Sequence, residues 1–405
     1  FGWLKATSVA AVCCTAVAGS ASASPSGNSL LPGWIRDFAI AGVGGVPADA
    51  AAVVLNVTAV DAEGDGFVTV YPCGQPLPST SSLNVSNGAT VANSVIAHPG
   101  AEGSVCVAMS SGLRADVIVD VSGWFVSGSS QWFDAPKRIV STRDGIGAAK
   151  AKVMPGTPLR FGLNGPAGSS AAVVNVTATN AAADGFLTVY PCGQSVPEIS
   201  NVNFRAGRDV PNAAVAVPGP SGEVCVAASS QVDVIIDQAG WLTTSFTSLP
   251  VPTRLLDTRN GIGGATAAVA AGSTREFVLP TAPTGATAAV VNVTAARAFG
   301  AGFLTVYPCG TPVPNVSNLN FTAGGALANL AVLRPGFGNK ICVYASMTTD
   351  VLIDLNGWMT AGYQPATTPS RFADSRQCAF VVATDNVPTG GLNSVDTREF
   401  VVMTN

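Results

Sequence analysis

Pairs of aspartates four residues apart are the first feature of this sequence whose chemistry can be named. They recur three times, as Asp116 with Asp120, Asp233 with Asp237, and Asp350 with Asp354. Residues four apart in a β-strand share a face, so each pair presents two carboxylates together. Three roles are open: an ion-pair network with Arg254, Arg259 and their counterparts, which we favour; a Ca²⁺ site built from carboxylate oxygens; or the acid and nucleophile of a glycosidase.

Nucleophilic catalysis is not indicated. A catalytic triad needs a base, usually histidine, and the chain has one histidine, His98, with no Gly-x-Ser-x-Gly element around its serines. Three copies of one active site in tandem would be unusual in an enzyme, whereas repetition suits avidity or spacing. We therefore predict a protein with no catalytic residues and no cofactor apart from the Ca²⁺ alternative.

Three tryptophans are candidate ligand-binding residues, because their rings could stack on sugars. Each follows a glycine at the end of a β-branched segment: Trp124, Trp241 and Trp358. The alternative is that each ring closes the core of its own repeat, as buried tryptophans commonly do.

Three asparagines match the Asn-Val-Thr glycosylation sequon: Asn56, Asn175 and Asn292. They lie inside apolar segments that we predict to be buried, so we interpret these matches as coincidence.

The cysteines predict a disulfide framework. Six of the nine form three equally spaced pairs: Cys73 with Cys106, Cys192 with Cys225, and Cys309 with Cys342. Equal spacing favours one disulfide in each repeat, and a metal site is disfavoured because each repeat offers two cysteines and the chain one histidine. Disulfides persist in oxidising compartments. Three cysteines are left over: Cys13, Cys14 and Cys378.

The elements that must position these residues are repeated strands. A cassette of Gly-Phe-x-Thr-Val-Tyr-Pro-Cys-Gly occurs at 66–74, 185–193 and 302–310. Apolar β-branched runs precede it, and turn signals arrive every 8–15 residues or so, without helical periodicity. The fold class predicted is all-β, with three tandem β-sandwich repeats, jelly-roll or Ig-like, each with one disulfide. Because each repeat is large enough to bury its own core, we expect beads on a string.

The domain boundaries follow from the repeat. They are a signal peptide at 1–24, β-sandwich repeats at 25–135, 136–251 and 252–365, and the start of a truncated or atypical fourth repeat at 366–405. A linker element, Arg-x-x-x-x-Arg, recurs at 138–143, 254–259 and 371–376. Either this element completes the repeat that precedes it, or its last copy is the start of a fourth repeat.

The N-terminal segment and the composition indicate export. Lys5 precedes the apolar stretch 9–18, and Ala21-Ser22-Ala23 follows as a small-x-small cleavage pattern. The apolar run is shorter than the roughly 20 residues that span a bilayer, so we predict no membrane span after its removal. Charged residues make up 11% of the chain, the net charge is −4, and no run of Lys or Arg occurs. Nucleic acid is therefore not an expected partner.

Several motifs together resemble a known group. They are Arg-Leu-Leu-Asp-Thr-Arg (254–259), Asn-Val-Thr-Ala (292–295), Gly-Phe-Leu-Thr-Val-Tyr-Pro-Cys-Gly (302–310), Ser-Asn-Leu-Asn-Phe (317–321) and Asp-Leu-Asn-Gly-Trp (354–358). The chain resembles the tandem repeat modules of secreted and cell-surface proteins of actinobacteria. The resemblance implies an extracellular setting and supplies no reaction. The second repeat departs from the pattern with Ser141 in place of Asp257.

The function expected from the sequence is that of a non-enzymatic secreted or cell-surface repeat protein, acting as a structural spacer or adhesive module. The alternative is a carbohydrate-binding array that tethers an exported protein to cell-wall or environmental polysaccharide. The partners expected are polysaccharide or a surface protein. The localisation expected is extracellular, with or without association with the cell wall.

Overall fold

The computed structural model describes residues 29–100, 102–377 and 379–380. These residues form 25 β-strands and two 3-10 helices, Phe337–Asn339 and Ser375–Gln377, and no α-helix occurs among them. No described helix is long and apolar enough to cross a membrane. The predicted all-β class is confirmed. The signal-peptide segment 1–24 and Cys378 lie outside the described residues.

The strands follow the repeats. The first repeat contains β1 (Ile35–Ala39), β2 (Ala52–Glu63), β3 (Gly66–Pro72), β4 (Leu83–Val85), β5 (Val91–Ala97), β6 (Ser104–Met109) and β7 (Arg114–Phe125). Next come β8 (Ser130–Ser141), β9 (Leu159–Gly162), β10 (Ala171–Thr179), β11 (Gly185–Pro191), β12 (Val202–Phe204), β13 (Val210–Ala216), β14 (Glu223–Ala228) and β15 (Asp233–Leu242). The rest are β16 (Phe246–Asp257), β17 (Ser273–Val278), β18 (Ala288–Ala298), β19 (Gly302–Pro308), β20 (Leu319–Phe321), β21 (Gly324–Leu333), β22 (Lys340–Ala345), β23 (Asp350–Met359), β24 (Tyr363–Asp374) and β25 (Ala379–Phe380).

Each repeat contributes two small antiparallel sheets, an inner and an outer one. The outer sheets have the orders β1-β6-β3-β4, β9-β14-β11-β12 and β17-β22-β19-β20. The inner sheets have the orders β25-β24-β7-β2-β5, β8-β15-β10-β13 and β16-β23-β18-β21. The architecture is therefore six small sheets around a common centre.

The inner strands are buried on both faces. In β2, Val53, Leu55 and Val57 point into a hydrophobic cluster that they share with the outer sheet of the same repeat. Ala52 and Val54, which point the other way, belong to a separate cluster. Because both faces of these strands are buried, the apolar runs carry almost no polar residues. This confirms the prediction of core strands covered on both faces.

The second cluster joins the repeats. Strands β5, β13 and β21 pack against one another at the centre, and residues of all three inner sheets form one buried core that includes Val54, Val173 and Val290. The expectation of beads on a string is therefore wrong. The second apolar face of each inner sheet is covered by the other two repeats, and none of the three is packed independently.

The linker strands close the ring. Strand β8 pairs with β15 of the second repeat, and β16 pairs with β23 of the third. These two linkers thus complete the repeats that follow them, so the alternative that they complete the preceding repeat is wrong. Strand β24 pairs with β7 of the first repeat. The boundaries predicted at 136, 252 and 366 fall inside these three strands, and residues 366–374 extend the inner sheet of the first repeat.

The three predicted disulfides are confirmed. The bonds are Cys73–Cys106, Cys192–Cys225 and Cys309–Cys342, each with a sequence separation of 33. Each bond lies within one outer sheet, where the cassette strand ends beside its antiparallel neighbour. Three disulfides indicate an oxidising environment.

Removing one disulfide should weaken the whole ring. For Cys192→Ala combined with Cys225→Ala, we expect the free energy of unfolding to fall by about 3 kcal/mol, because the unfolded chain regains the entropy of the closed loop. Urea denaturation under non-oxidising, non-reducing conditions measures the loss. The single variant Ser221→Ala, in an exposed turn beside the bond, is the control. An unchanged midpoint in the double variant would contradict the prediction.

Candidate functional site

The aspartate pairs lie where each linker strand meets the last core strand of a repeat, and we call these places joints. In the joint of the third repeat, Arg254 donates from Nε to Oδ1 of Asp354 at 2.7 Å and from Nη2 to Oδ2 at 3.0 Å. Four residues on, Thr258 donates to Asp350 at 2.7 Å. Two side chains spaced by four, one in β16 and one directly after its end, thus bind two carboxylates spaced by four on the antiparallel strand.

The other joints repeat this geometry. Arg138 contacts Asp237 at 2.8 and 3.1 Å, and Thr142 donates to Asp233 at 2.9 Å. In the first repeat, the donors come from β24 and the helix that follows it. Arg371 contacts Asp120 at 2.9 Å and Ser375 contacts Asp116 at 2.7 Å. The carboxylates of all three pairs are therefore occupied by a guanidinium and a hydroxyl.

Arg259 has a different partner from the one expected. It contacts Asp257 through Nε and Nη2 at 2.9 and 2.8 Å, while Asp257 also receives Arg254 at 3.3 Å. Burial works to raise the pKa of Asp257, but the hydrogen bonds and positive charge of Arg259 outweigh it and hold that pKa below its usual range. In the second repeat, Ser141 replaces Asp257 and donates instead to Asp144 at 2.7 Å.

Burial has the largest effect on the pKa of the second aspartate of each pair. It raises the pKa of Asp237 and Asp354 despite the bound arginine, and it raises the pKa of Asp120 to about 6. Arg371 reaches one oxygen of Asp120, and the other, Oδ2, is buried without a hydrogen-bond partner among the described residues. The first joint is therefore less completely paired than the other two.

The raised pKa of Asp120 predicts a pH effect. The unfolded chain loses this proton near pH 4 and the folded protein near pH 6, so the contribution of this group to stability falls as pH rises through that window. The variant Asp120→Asn carries no charge at this position at any pH. Its unfolding free energy, measured relative to that of the wild type, should therefore rise by about 2–3 kcal/mol between pH 4 and pH 7. Urea denaturation at both pH values measures this difference.

The matched control for this pH effect is Asp374→Asn. Burial opposes ionisation of Asp374, but Arg376 and Arg371 hold its pKa below the usual range. Removing that carboxylate should therefore give the opposite trend, a relative loss as pH rises. A difference between Asp120→Asn and the wild type that does not change with pH would contradict the prediction.

The sequon asparagines lie at contacts between repeats. Asn292 of the third repeat donates to the carbonyl of Ser200 in the second at 2.5 Å, and the backbone amide of Ser200 donates to Asp354. Asn175 with Asp237 holds Ser81 of the first repeat in the same way, and Asn56 with Asp120 holds Ser317 of the third. The joints therefore also clamp the neighbouring repeat.

A second set of asparagines completes this network. Asn212 donates to Asn292 at 2.9 Å and accepts from the backbone amide of Leu330 at 3.0 Å. The same bonds connect the other two pairs of repeats: Asn93 with Asn175, and Asn329 with Asn56. These three residues were not predicted from the sequence. The available signal was one asparagine at the same place in each of three otherwise apolar strands.

Breaking one member of this network should destabilise the ring. Asn329 bonds Asn56, the carbonyl of Asn318 and the amide of Ser94. Asn329→Leu leaves those buried groups unpaired, so we expect a loss of about 2–3 kcal/mol in unfolding free energy. Thermal or urea unfolding measures it, and Asn315→Leu at an exposed position is the control. Equal midpoints for the two variants would show that the network contributes nothing.

The tryptophans, which are the remaining ligand-binding candidates, lie in or against the hydrophobic cores of their repeats. Trp241 and Trp358 are buried, 6% and 2% exposed, in the cores of their repeats, and the partly buried Trp124 packs against the first core. His98 lies 2.7 Å from the carbonyl oxygen of Ala51 and lines a cavity of about 50 Å³ between the first two repeats. Glu276 lies near Cys309 and Cys342, whose sulfurs are bonded to each other.

Comparisons with known proteins give little similarity. No family model and no curated protein matches the sequence. Among solved structures, one described as the triple jelly roll fold and turret assembly in an archaeal virus matches with a TM-score of 0.21 and 9% identity, covering 82% of this chain and 85% of that chain. An atomic structure of Sulfolobus Turreted Icosahedral Virus matches with a TM-score of 0.22 and 10% identity, with the same coverage. Similarity at this level assigns neither fold nor function.

Proposed function

We propose that the protein is a non-enzymatic secreted or cell-surface module that acts as a rigid spacer and adhesive platform. The observation that carries this proposal is the closed ring. The joints hold each linker strand to the repeat it completes, as Arg254 does, and the buried asparagines bind the repeats to one another, as Asn292 does. The three disulfides suit an extracellular setting.

A closed ring fixes the relative positions of its repeats. Because each inner sheet packs against the other two, the three outer sheets are carried at equivalent positions around one centre. A surface feature that recurs on every outer sheet is therefore displayed three times in fixed geometry. Such a display strengthens binding to a repetitive target without requiring a strong single site.

The recurring feature is a phenylalanine at the start of each cassette strand, and it is exposed in two of the three repeats. Phe67 and Phe186 are 41% and 42% exposed, and Phe303 is partly buried beside Tyr344. We infer that these aromatic side chains, which lie at equivalent places in the repeats, form the contact surface. These rings, in place of the buried tryptophans, favour the alternative function as well, in which the ring binds cell-wall or environmental polysaccharide.

A retention assay tests the adhesive role. The full chain is incubated with insoluble polysaccharides, purified cell walls and immobilised matrix proteins. Retention on the target that binds should fall about tenfold with Phe67→Ser and further when Phe186→Ser and Phe303→Ser are added, because each change removes one of three linked contacts. The control is Phe337→Ser, since Phe337 is 87% exposed and has no counterpart in the other repeats.

Two outcomes would overturn the proposal. Undiminished retention of the triple variant would show that the cassette phenylalanines are not the adhesive surface. Sustained hydrolysis of a polysaccharide or ester substrate by the purified chain would show that the protein is an enzyme.

A further inference from the structure

A cavity of about 350 Å³ lies between the third repeat and β24, the strand that closes the ring. Its walls come from the end of the cassette strand, from the turn after β21 and from β24. The lining residues that bear on ligand binding are Pro308, Thr311, Arg334, Phe337 and Thr367. Sites for small molecules commonly have volumes of roughly 300–1,000 Å³ and combine apolar walls with a few polar groups. The cavity therefore has room for one small ligand.

Arg334 gives this cavity a positive charge without a partner. The side chain is exposed and makes no hydrogen bond or ion pair with any described residue. No aspartate or glutamate is among the described residues that line the cavity. Glu276, which lies near the sulfur of Cys309, is paired with Lys340 at 2.8 Å. The cavity thus carries one uncompensated guanidinium, whose planar fork matches a single carboxylate.

Phe337 gives the cavity an apolar wall on a fixed turn. Its ring is 87% exposed, but its backbone amide donates to the carbonyl of Cys309 at 2.8 Å. Two residues further on, the side chain of Asn339 donates to the carbonyl of Leu279 at 2.9 Å. The turn is therefore held in place while the ring stays in water, so little ordering is needed before a ligand packs against it.

The equivalent contacts between the other repeats lack this combination. Between the second and third repeats the counterparts are Val217, Pro220 and Pro250, which carry neither a charge nor a hydroxyl. Between the first and second repeats, His98 stands in the place of Arg334 and lies 2.7 Å from a backbone carbonyl oxygen. The fold itself therefore does not require an arginine and a phenylalanine here.

We propose that this cavity binds a uronate, a sugar ring that carries one carboxylate. Arg334 holds the carboxylate through paired N–H donors, and Phe337 packs against the apolar face of the ring. Thr367 is exposed, and the hydroxyl of Thr311 donates to the carbonyl of Pro308 at 2.8 Å and can still accept. Both hydroxyls can therefore pair with the hydroxyls of a sugar. An aromatic acid offers them no such partners, which favours the sugar acid.

This site goes beyond the adhesive function proposed above and is separate from it. The cavity admits one ring, so the ligand is a free uronate or the end of a chain. Phe337→Ser, which should leave retention through the cassette phenylalanines unchanged, should weaken uronate binding. Failure of one proposal is therefore distinguishable from failure of the other.

Calorimetric titration of the full chain with glucuronate, glucose and benzoate tests the proposal. Glucuronate should bind with a Kd of about 1 mM or tighter, and glucose should not bind. Arg334→Gln should weaken glucuronate binding about tenfold or more, and Arg334→Lys should weaken it less, because lysine keeps the charge and loses the fork. The matched control is Arg208→Gln, which changes another exposed arginine in the turn before β13 and should leave the affinity unchanged.

Three titration results would overturn the proposal. Equal binding of glucose would show that the charge is not recognised. Binding of benzoate without binding of glucuronate would show that the ligand is not a sugar acid. An unchanged affinity for glucuronate in Arg334→Gln would show that this arginine does not hold the carboxylate.

Amide hydrogen exchange locates the ligand independently of the variants. Saturating glucuronate should slow exchange about threefold or more in the turn at 336–339 and at 366–368 in β24, because the ligand contacts both walls. The equivalent turn of the second repeat, at 219–222, is the internal control and should not change. Equal protection of the two turns, or protection of neither, would overturn the proposal.

Discussion

Arg254→Met should lower the free energy of unfolding by about 3–5 kcal/mol, one of the two largest effects we expect from a single change. Arg254 binds Asp354 and Asp257, and the side chains of both aspartates are fully buried. Methionine preserves much of the aliphatic packing but leaves Asp354 as a buried charge without its counter-ion. The cost is therefore that of an uncompensated carboxylate, well beyond the value of a surface ion pair.

Chemical denaturation with two comparison variants makes this measurement specific. Arg114→Met breaks the half-exposed pair with Glu63 and should cost less than about 1 kcal/mol. Combining Arg254→Met with Asp354→Leu removes both charges at this contact and should recover part of the loss. A loss no greater than that of Arg114→Met would mean that the joint does not stabilise the ring.

Tyr363→Ala should have an effect of similar size, about 3–5 kcal/mol. Tyr363 begins the strand that closes the ring, is fully buried in the shared core and has its ring centroid 5.1 Å from that of Phe125. Its hydroxyl donates to the carbonyl of Ser122 at 3.1 Å. Truncation therefore creates a cavity where β24 meets the first repeat.

Unfolding midpoints and amide exchange in β24 measure this effect together. Tyr363→Phe keeps the ring and loses one hydrogen bond, so it should cost about 1 kcal/mol. Gln364→Ala, at the exposed neighbouring position, should be close to neutral. If Tyr363→Ala resembled Gln364→Ala, closure by β24 would not depend on the shared core.

The features predicted correctly from the sequence are those that repeat at fixed spacing. The cysteine pairs predicted the disulfides because three equal separations are difficult to explain otherwise. The apolar run of β2 predicted a strand covered on both faces. Val53 and Val54, which point to opposite faces, are both buried in the structure. Both inferences depend on residues within one repeat.

The features that sequence reasoning missed depend on partners in another repeat. Ion pairs between the aspartates and the counterparts of Arg254 were predicted, but nothing near Arg371 in the sequence indicates that its partner is Asp120 of the first repeat, roughly 250 residues earlier. The second apolar face of β2 indicated burial but not the covering partner, which is the rest of the ring. The structural role of the sequon asparagines was missed because their carbonyl partners, such as Ser200 for Asn292, belong to a neighbouring repeat.

Both ends of the described chain meet on one strand. Leu30 bridges to Ala115 and Asp374 pairs with Ile118, and both partners lie in β7. The first and last described segments therefore contact the same strand, and the chain forms a nearly cyclic arrangement. We expect the joints to form wherever the backbone is cut between repeats. A circular permutant that starts before β8, with residue 380 tethered to residue 29, would retain the same three joints.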